Sequence, residues 1–248
     1  MVRLIAVLFC LTPLPVSAAG CVVLLHGLAR TDASFTILEE VLTTRGYNVI
    51  NARYPSTDEP IAQLADQIVP KSYSECPTSP VHFVTHSMGG ILVRHAFQED
   101  HPSDLGHVVM LGPPNHGSEL VDQLVPIELF AAMNGPAALQ LGTDENSVPL
   151  SLPGVDYSVG VIAGSSSLNP LYSSMIPGPD DGKVSVASTR LEGMQDHLTL
   201  PVAHTFMMNN LQVIAQVMHF LDNGTFDHDM TWLDAVSALP LAPLEVNR

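Results

Sequence analysis

From residue 21 onward, short continuous apolar runs alternate with longer stretches in which apolar residues recur at helical spacing. Cys21-Val-Val-Leu-Leu25 is one such run and predicts a buried strand that ends in a turn at His26-Gly27. Residues 35–45 carry helical periodicity and stop at Gly46. A strand over 47–52, a helix over 61–69, a strand over 81–85, a helix over 88–98 and a strand over 106–111 follow in turn. Residues 157–163 and 197–200 read as late strands, and 209–221 as an amphipathic helix. Strands alternating with helices predict an α/β domain, a mostly parallel sheet flanked by helices. Between 117 and 150 the pattern breaks into short apolar helical pieces rich in Gly and Pro, which fit either packing helices or a small helical cap. From Asn223 to the end, Pro and acidic residues suggest a tail that wraps the surface loosely.

No repeat or long linker divides the 248 residues, so one domain over 20–222 is expected, with 223–248 as its tail. Hydrophobic residues make up 46% and charged residues 14%, which excludes a disordered chain or a coiled coil. A formal net charge of -16 repels phosphate backbones and argues against nucleic-acid binding. Residues 1–19 have the form of a signal peptide: Arg3, an apolar run from Leu4 to Leu11, two prolines, then small residues through Ala18-Ala19. The run is well short of the roughly 20 residues that span a bilayer, so export to the periplasm or medium is expected rather than a retained anchor. Gly20-Cys21 has a faint likeness to a lipoprotein site, but a lipid on Cys21 leaves almost no tether before the first strand.

Export bears on the cysteines. Cys10 leaves with the leader, and Cys21 and Cys76 remain. Each stands at or just before the start of a predicted strand, so if those parallel strands are neighbours, both fall at one end of the sheet. In an oxidising compartment a Cys21–Cys76 disulfide is then reasonable, against the alternative of two unpaired buried thiols.

Thr85-His86-Ser87-Met88-Gly89-Gly90 carries the strongest chemical signal. It joins a buried strand to a helix and approximates the nucleophile elbow Gly-x-Ser-x-Gly, which presents a serine hydroxyl at the strand end. A plain helix N-cap is the simpler reading of such a serine. Thr85 stands where the pattern has its first glycine, which demands extra room nearby. Serine needs a base and an orienting acid. Of eleven histidines, His204 follows the last predicted strand and precedes the final helix. His116 and His26 better fit loop-shaping roles, and His86 diverges from its neighbour on the elbow. Among acids, the turn-rich segment Gly178-Pro-Asp-Asp-Gly-Lys-Val-Ser185 offers Asp181, with Asp180 close behind and Asp196 a weaker competitor. An ordinary Asp-Gly turn would look the same. No metal-ligand spacing stands out; Asp227-His228-Asp229 reads as solvated tail, and no cofactor is expected.

These residues resemble the bacterial lipase and esterase branch of the α/β-hydrolase superfamily. The likeness rests on His26-Gly27-Leu28, His86 to Gly90, Pro114-Asn-His-Gly-Ser118, Asp180-Asp-Gly-Lys-Val184 and His204, spanning most of the chain from Cys21 to about Leu221. It implies the chain order Ser87, Asp181, His204, with Asp181 as the acid of an Asp-Gly-x-Val segment. It implies an oxyanion hole formed by the backbone N–H groups of Leu28 and Met88, each contributing about 3 kcal/mol. Because the usual first two strands have no room before Cys21, a sheet shortened at its N-terminal side is expected.

The function so implied is hydrolysis of carboxylic esters through an acyl-enzyme, on a hydrophobic ester or lipid, with transient contact at a lipid interface as a further possibility. An acyltransferase on the same triad and a non-catalytic exported binding module are the alternatives. The apolar stretch Leu120 to Leu141 suits a lipid-facing lid or buried helices equally. Because a base must be neutral to accept a proton, turnover is expected to fall in mildly acidic buffer. A pH–rate profile that stays flat through that range excludes His204 as the base.

Overall fold

The computed structural model describes residues 20–145 and 147–239; the expected leader, residues 1–19, lies outside them. Six strands form one sheet: β1 (Cys21–Leu25), β2 (Asn48–Asn51), β3 (Val81–His86), β4 (Leu105–Leu111), β5 (Val159–Gly164) and β6 (Asp196–Leu200). Their order across the sheet is β2-β1-β3-β4-β5-β6, and every neighbouring pair is parallel. All strand C-termini therefore lie along one edge. The helices are α1 (Thr36–Thr44), α2 (Ile61–Ser74), α3 (Met88–Ala96), α4 (Glu119–Leu124), α5 (Glu128–Leu139), α6 (Val148–Ser151), α7 (Pro170–Ser173), α8 (Leu211–Asn223) and α9 (Trp232–Ala238).

Both faces of the sheet are covered, which is why the inner strands read as continuous apolar runs rather than alternating ones. Successive side chains still point to opposite faces. Val22 and Leu24 of β1 join Val84, Val109 and Ile162 against Phe35, Leu38, Val213 and Phe220, under α1 and α8. Val23 and Leu25 join Phe83, Met110 and Val161 against Ile61, Leu64, Ile91 and Leu92, under α2 and α3. The edge strand β2 is only half-buried along its length and is two residues shorter than its apolar pattern predicts. Cys21 and Cys76 are disulfide-bonded with Cα atoms 5.7 Å apart, which ties the start of β1 to the end of α2. Cys76 sits just past α2 because that helix runs on through Pro70 to Ser74, beyond the expected stop at Val69.

Residues 223–239 do not wrap loosely. Gly224, at φ 74°, ends α8, and Phe226, Ala235 and Leu239 are buried in the core beside that helix. Thr231 and Asp234 cap α9 reciprocally. With only three buried apolar side chains in this stretch, and Trp232 and Leu233 left exposed, the apolar period is too sparse to announce a packed helix. His228 is solvent-exposed, as its place in the tail suggests, and its Nε2 also lies 2.9 Å from the Asp196 carboxylate.

At the end of the sheet away from the strand C-termini, His82 is buried and its Nδ1 accepts the His107 N–H at 2.9 Å. Burial, reinforced by nearby His107, pushes the His82 imidazole down from 6.5 to about 4. Burial also lowers His26, His86, His107 and His197. The unfolded chain thus takes up protons before the folded one does. The stability His82 confers is whole above its ordinary value and is lost as pH falls towards 4, on the order of 3 kcal/mol. Melting temperature is expected to drop steadily from pH 7 to pH 4, roughly the window of that shift. In His82→Asn, which keeps an acceptor for His107, the slope should be shallower; an unchanged slope removes His82 from the account.

Candidate active site

Close approach of backbone segments at the C-terminal edge of the sheet dictates the local conformation around Ser87. Ser87 alone separates β3 from α3, and it does so at φ 54° and ψ -124°, a region that side chains other than glycine rarely enter. Such a conformation costs about 1–3 kcal/mol and persists only where its surroundings enforce it. Here the Ser87 N–H donates to Leu111 O at 2.9 Å and its carbonyl accepts from the Gly90 N–H at 3.0 Å. A Cβ on Gly89 would lie 2.4 Å from Leu25 O, and one on Gly27 would lie 2.9 Å from Ser87 Cβ. Both glycines are therefore steric requirements. Thr85 is fully buried, and the room it needs comes from Gly90, where a Cβ would already stand 3.3 Å from Thr85 Oγ1.

Asp181 and His204 meet at the same edge. Asp181 follows β5 in a turn whose amides bind its carboxylate: Oδ1 accepts from the N–H groups of Lys183 at 3.0 Å and Val184 at 2.8 Å. Oδ2 is left for His204, whose Nδ1 lies 2.7 Å away, and the His204 N–H also donates to Asp181 O at 3.0 Å. Both side chains are almost fully buried. A carboxylate that already accepts two amides takes the Nδ1 proton as a third bond, which leaves Nε2 with its lone pair. Asp180 is turned elsewhere, accepting from Ser173 Oγ at 2.8 Å and the Gly182 N–H at 2.7 Å. Asp196 begins β6 at the far end of the sheet, where it binds the Phe226 N–H and His228.

Three features of this edge have roles that the sequence alone does not reveal, although residues 114–118 stand out in it as a segment. His86 is fully buried and donates from Nε2 to the His204 carbonyl at 3.0 Å, its ring centroid 4.6 Å from that of His204. Burial and then the neighbouring His204 hold it neutral, far below the ordinary histidine value. Gly112, just past β4 at φ 54°, is a spacer: a Cβ there would stand 3.0 Å from Asp181 Oδ2 and 3.1 Å from His204 Nδ1. Its one sequence signal is a glycine directly after a buried strand. Residues 114–118 brace the acid turn. Asn115 Nδ2 donates to Thr189 O at 2.8 Å, the His116 N–H to Ser188 O at 2.9 Å and Ser118 Oγ to Lys183 O at 2.7 Å. His116 itself is exposed. The brace is fastened to α3 by buried Arg94, which donates to Asn115 O at 3.0 Å and Leu152 O at 3.1 Å, and whose guanidinium burial lowers to about 10.

Ser87 and His204 line one cavity of about 530 Å³. Leu28 lines it too, in a loop where Ala29 holds φ 52° and where Tyr54 stacks on His26 at 4.0 Å and donates to its carbonyl. The Met88 N–H opens α3 and so has no partner within the helix. Segment 117–150 supplies an apolar wall through Leu120, Val121, Leu124, Ile127, Phe130 and Leu141. Leu129 and Met133 belong to the same wall and are about two-thirds exposed, at 66% and 67%. α5 kinks at Gly135, φ 70°, directly before Pro136, and only glycine fits there because a Cβ would lie 1.7 Å from Thr57 O. Among the described residues no cluster of His, Cys, Asp and Glu is placed to hold a metal, and no helix is long and apolar enough to cross a membrane.

No known family model matches the chain, and no curated protein matches it. Solved structures do. The mature lipase BlEst2 of Bacillus licheniformis superposes with TM-score 0.60 over 84% of this chain and 94% of its own, at 19% identity. Its propeptide form gives TM-score 0.58 at 19% identity, over 79% of this chain and 48% of that longer one. The lipase of Staphylococcus hyicus matches at TM-score 0.52 and 11% identity, over 77% of this chain and 89% of its own. The chain thus has the α/β-hydrolase fold, in the form that these bacterial lipases adopt.

Gly112→Ala is expected to push Asp181 and His204 apart. The strongly downfield Nδ1 proton signal that a short imidazole–carboxylate bond produces should then vanish from the proton NMR spectrum. A signal unmoved by the substitution is inconsistent with the spacer role.

Proposed function

We propose that this chain is an exported serine hydrolase that cleaves carboxylic esters with apolar acyl groups, as a lipase or carboxylesterase. The observation that carries this reading is the 2.7 Å Asp181–His204 pair opening onto the cavity that strained Ser87 also lines. His204 Nε2 takes the hydroxyl proton as Ser87 Oγ attacks the acyl carbonyl, and Asp181 stabilises the imidazolium that forms. The N–H groups of Leu28 and Met88 receive the negative oxygen. His204 returns its proton to the departing alcohol, leaving an acyl-enzyme. Water, deprotonated by the same imidazole, then releases the acid and restores Ser87.

Desolvation of the acyl chain against the wall of residues 117–150 supplies binding energy, at about 25 cal/mol per Å² of apolar surface removed from water. In this reading 117–150 is the cap of the domain. The disulfide fits an oxidising compartment, in line with export.

Ser87→Ala should abolish turnover of a short p-nitrophenyl ester and labelling by a fluorophosphonate probe, with the melting temperature kept. Asp181→Asn should lower kcat by about 10⁴-fold, because the imidazole then loses its fixed tautomer. Retained turnover in Ser87→Ala sinks the proposal. Failure of wild-type protein to label favours a binding module instead, and ester exchange outpacing acid release in added alcohol favours an acyltransferase.

A further inference from the structure

Cations are scarce in this chain, 9 lysines and arginines against 25 acidic residues, yet two of them line the cavity of Ser87. Elsewhere among the described residues most positive side chains have visible work, Arg190 being an exposed exception with no ion pair. Arg45 pairs with Asp222, Arg53 with Asp32 and Lys71 with Glu75, while Arg94 is spent on backbone carbonyls. Arg30 and Lys183 make no ion pair among the described residues. The carboxylate nearest in sequence to Lys183, Asp181, is committed to His204 and two amides.

The backbone of each cation belongs to the site's own architecture. Lys183 is pinned through its backbone, its N–H on Asp181 Oδ1 at 3.0 Å and its carbonyl on Ser118 Oγ at 2.7 Å. Arg30 follows Ala29, whose φ of 52° turns the chain out of the Leu28 loop. The two sit close enough to oppose one another: partial desolvation and then Arg30 lower the Lys183 ammonium, with Asp181 opposing, while the residue as a whole stays exposed to solvent. Both also add to the field that keeps buried His86 neutral. Two like charges facing one cavity with no ion pair of their own repel each other, and a bound anion turns that repulsion into attraction.

We infer that Arg30 and Lys183 form an anion subsite, and that the substrate is an amphiphilic ester whose alcohol half carries a phosphate or carboxylate near the scissile bond. This deepens the hydrolase reading and rests on it. The division of the cavity assigns the two halves. The acyl chain lies along Leu120, Leu124 and Phe130, where a charge would be desolvated without a partner. The anion faces the guanidinium and ammonium groups, where charge-assisted hydrogen bonds await it. Arg30 and Lys183 are thus specificity residues, distinct from the groups that move protons.

The test compares two esters that share one acyl chain, monodecanoylglycerol and its phosphate-bearing counterpart, decanoyl-lysophosphatidic acid, both dispersed as monomers. The readout is the ratio of kcat/KM for the anionic over the neutral ester, from released decanoic acid, which cancels any effect shared by both. That ratio should exceed one in the wild type and fall by about tenfold in Arg30→Met and in Lys183→Met, the scale of one lost charge-assisted contact. Equal losses on both esters overturn the inference, since they place the cations in general catalysis. A second arm needs no turnover. Ser87→Ala protein is titrated with decyl phosphate, decanol and inorganic phosphate, with Lys183→Met added for comparison. Decyl phosphate should bind at least about tenfold tighter than either partner molecule, and Lys183→Met should erase the margin over decanol. Inorganic phosphate binding as tightly as decyl phosphate overturns the ester assignment in favour of a free-anion site. If neither ester is hydrolysed by wild-type protein, the hydrolase reading fails by itself, and the titration still decides the subsite.

Discussion

Everything at the C-terminal edge of the sheet depends on how closely three backbone segments approach one another. β1 runs into Gly27, β3 into Ser87 and β4 into Gly112; a Cβ on Gly27 would press on Ser87 Cβ and His86, and one on Gly112 on the Asp181 and His204 side chains. The approach forces Ser87 into a positive φ and lifts its side chain out of the strand's hydrogen-bonded ladder. Gly89 lets α3 start within reach of the Leu25 carbonyl. If any of these contacts were loosened, Ser87 could relax to an ordinary strand or helix conformation. The strain is local, but its support is distributed across the two buried layers on either side of the sheet.

A second network fixes the partner side chains against that edge. The carboxylate of Asp181 is saturated by two amides and one imidazole, so it has little freedom to rotate. The turn that holds it is hydrogen-bonded to residues 115–118, and those are fastened to α3 by Arg94. His86 grips the His204 backbone from beneath, while Gly112 leaves the gap that the imidazole–carboxylate bond occupies. The groups paired in this way hold one geometry, because displacing them leaves a donor or acceptor unpaired in a low-dielectric interior; His86 Nδ1 and Arg94 Nε have no partner among the described residues. The same helix that begins at the elbow therefore also anchors the acid turn.

The cavity above this edge has two chemical characters. Segment 117–150 faces it with aliphatic and aromatic side chains, some of them largely exposed, while Arg30 and Lys183 bring positive charge to an otherwise acidic protein. An apolar wall favours desolvated hydrocarbon, and two cations without ion pairs of their own favour an anion. Their coexistence narrows the ligands that satisfy both.

The succession of strands and helices was legible in the sequence, because apolar runs and helical periods report which faces are buried regardless of partners. The sequence also marked Ser87 through the turn chemistry around it, and it brought Cys21 and Cys76 to one sheet end through the strand starts. Where it was silent, the deciding quantity was a distance between segments remote in the chain. Asp180 and Asp181 are alike in an Asp-Asp-Gly turn, and only the amides of Lys183 and Val184 and the position of His204 tell them apart. Gly112 is an unremarked glycine until the Asp181–His204 pair is seen against it, and α9 rests on too few buried positions to show a period. Local pattern encodes burial; which side chains face one another, and which atom of a carboxylate is left free, arises only when the sheet closes around them.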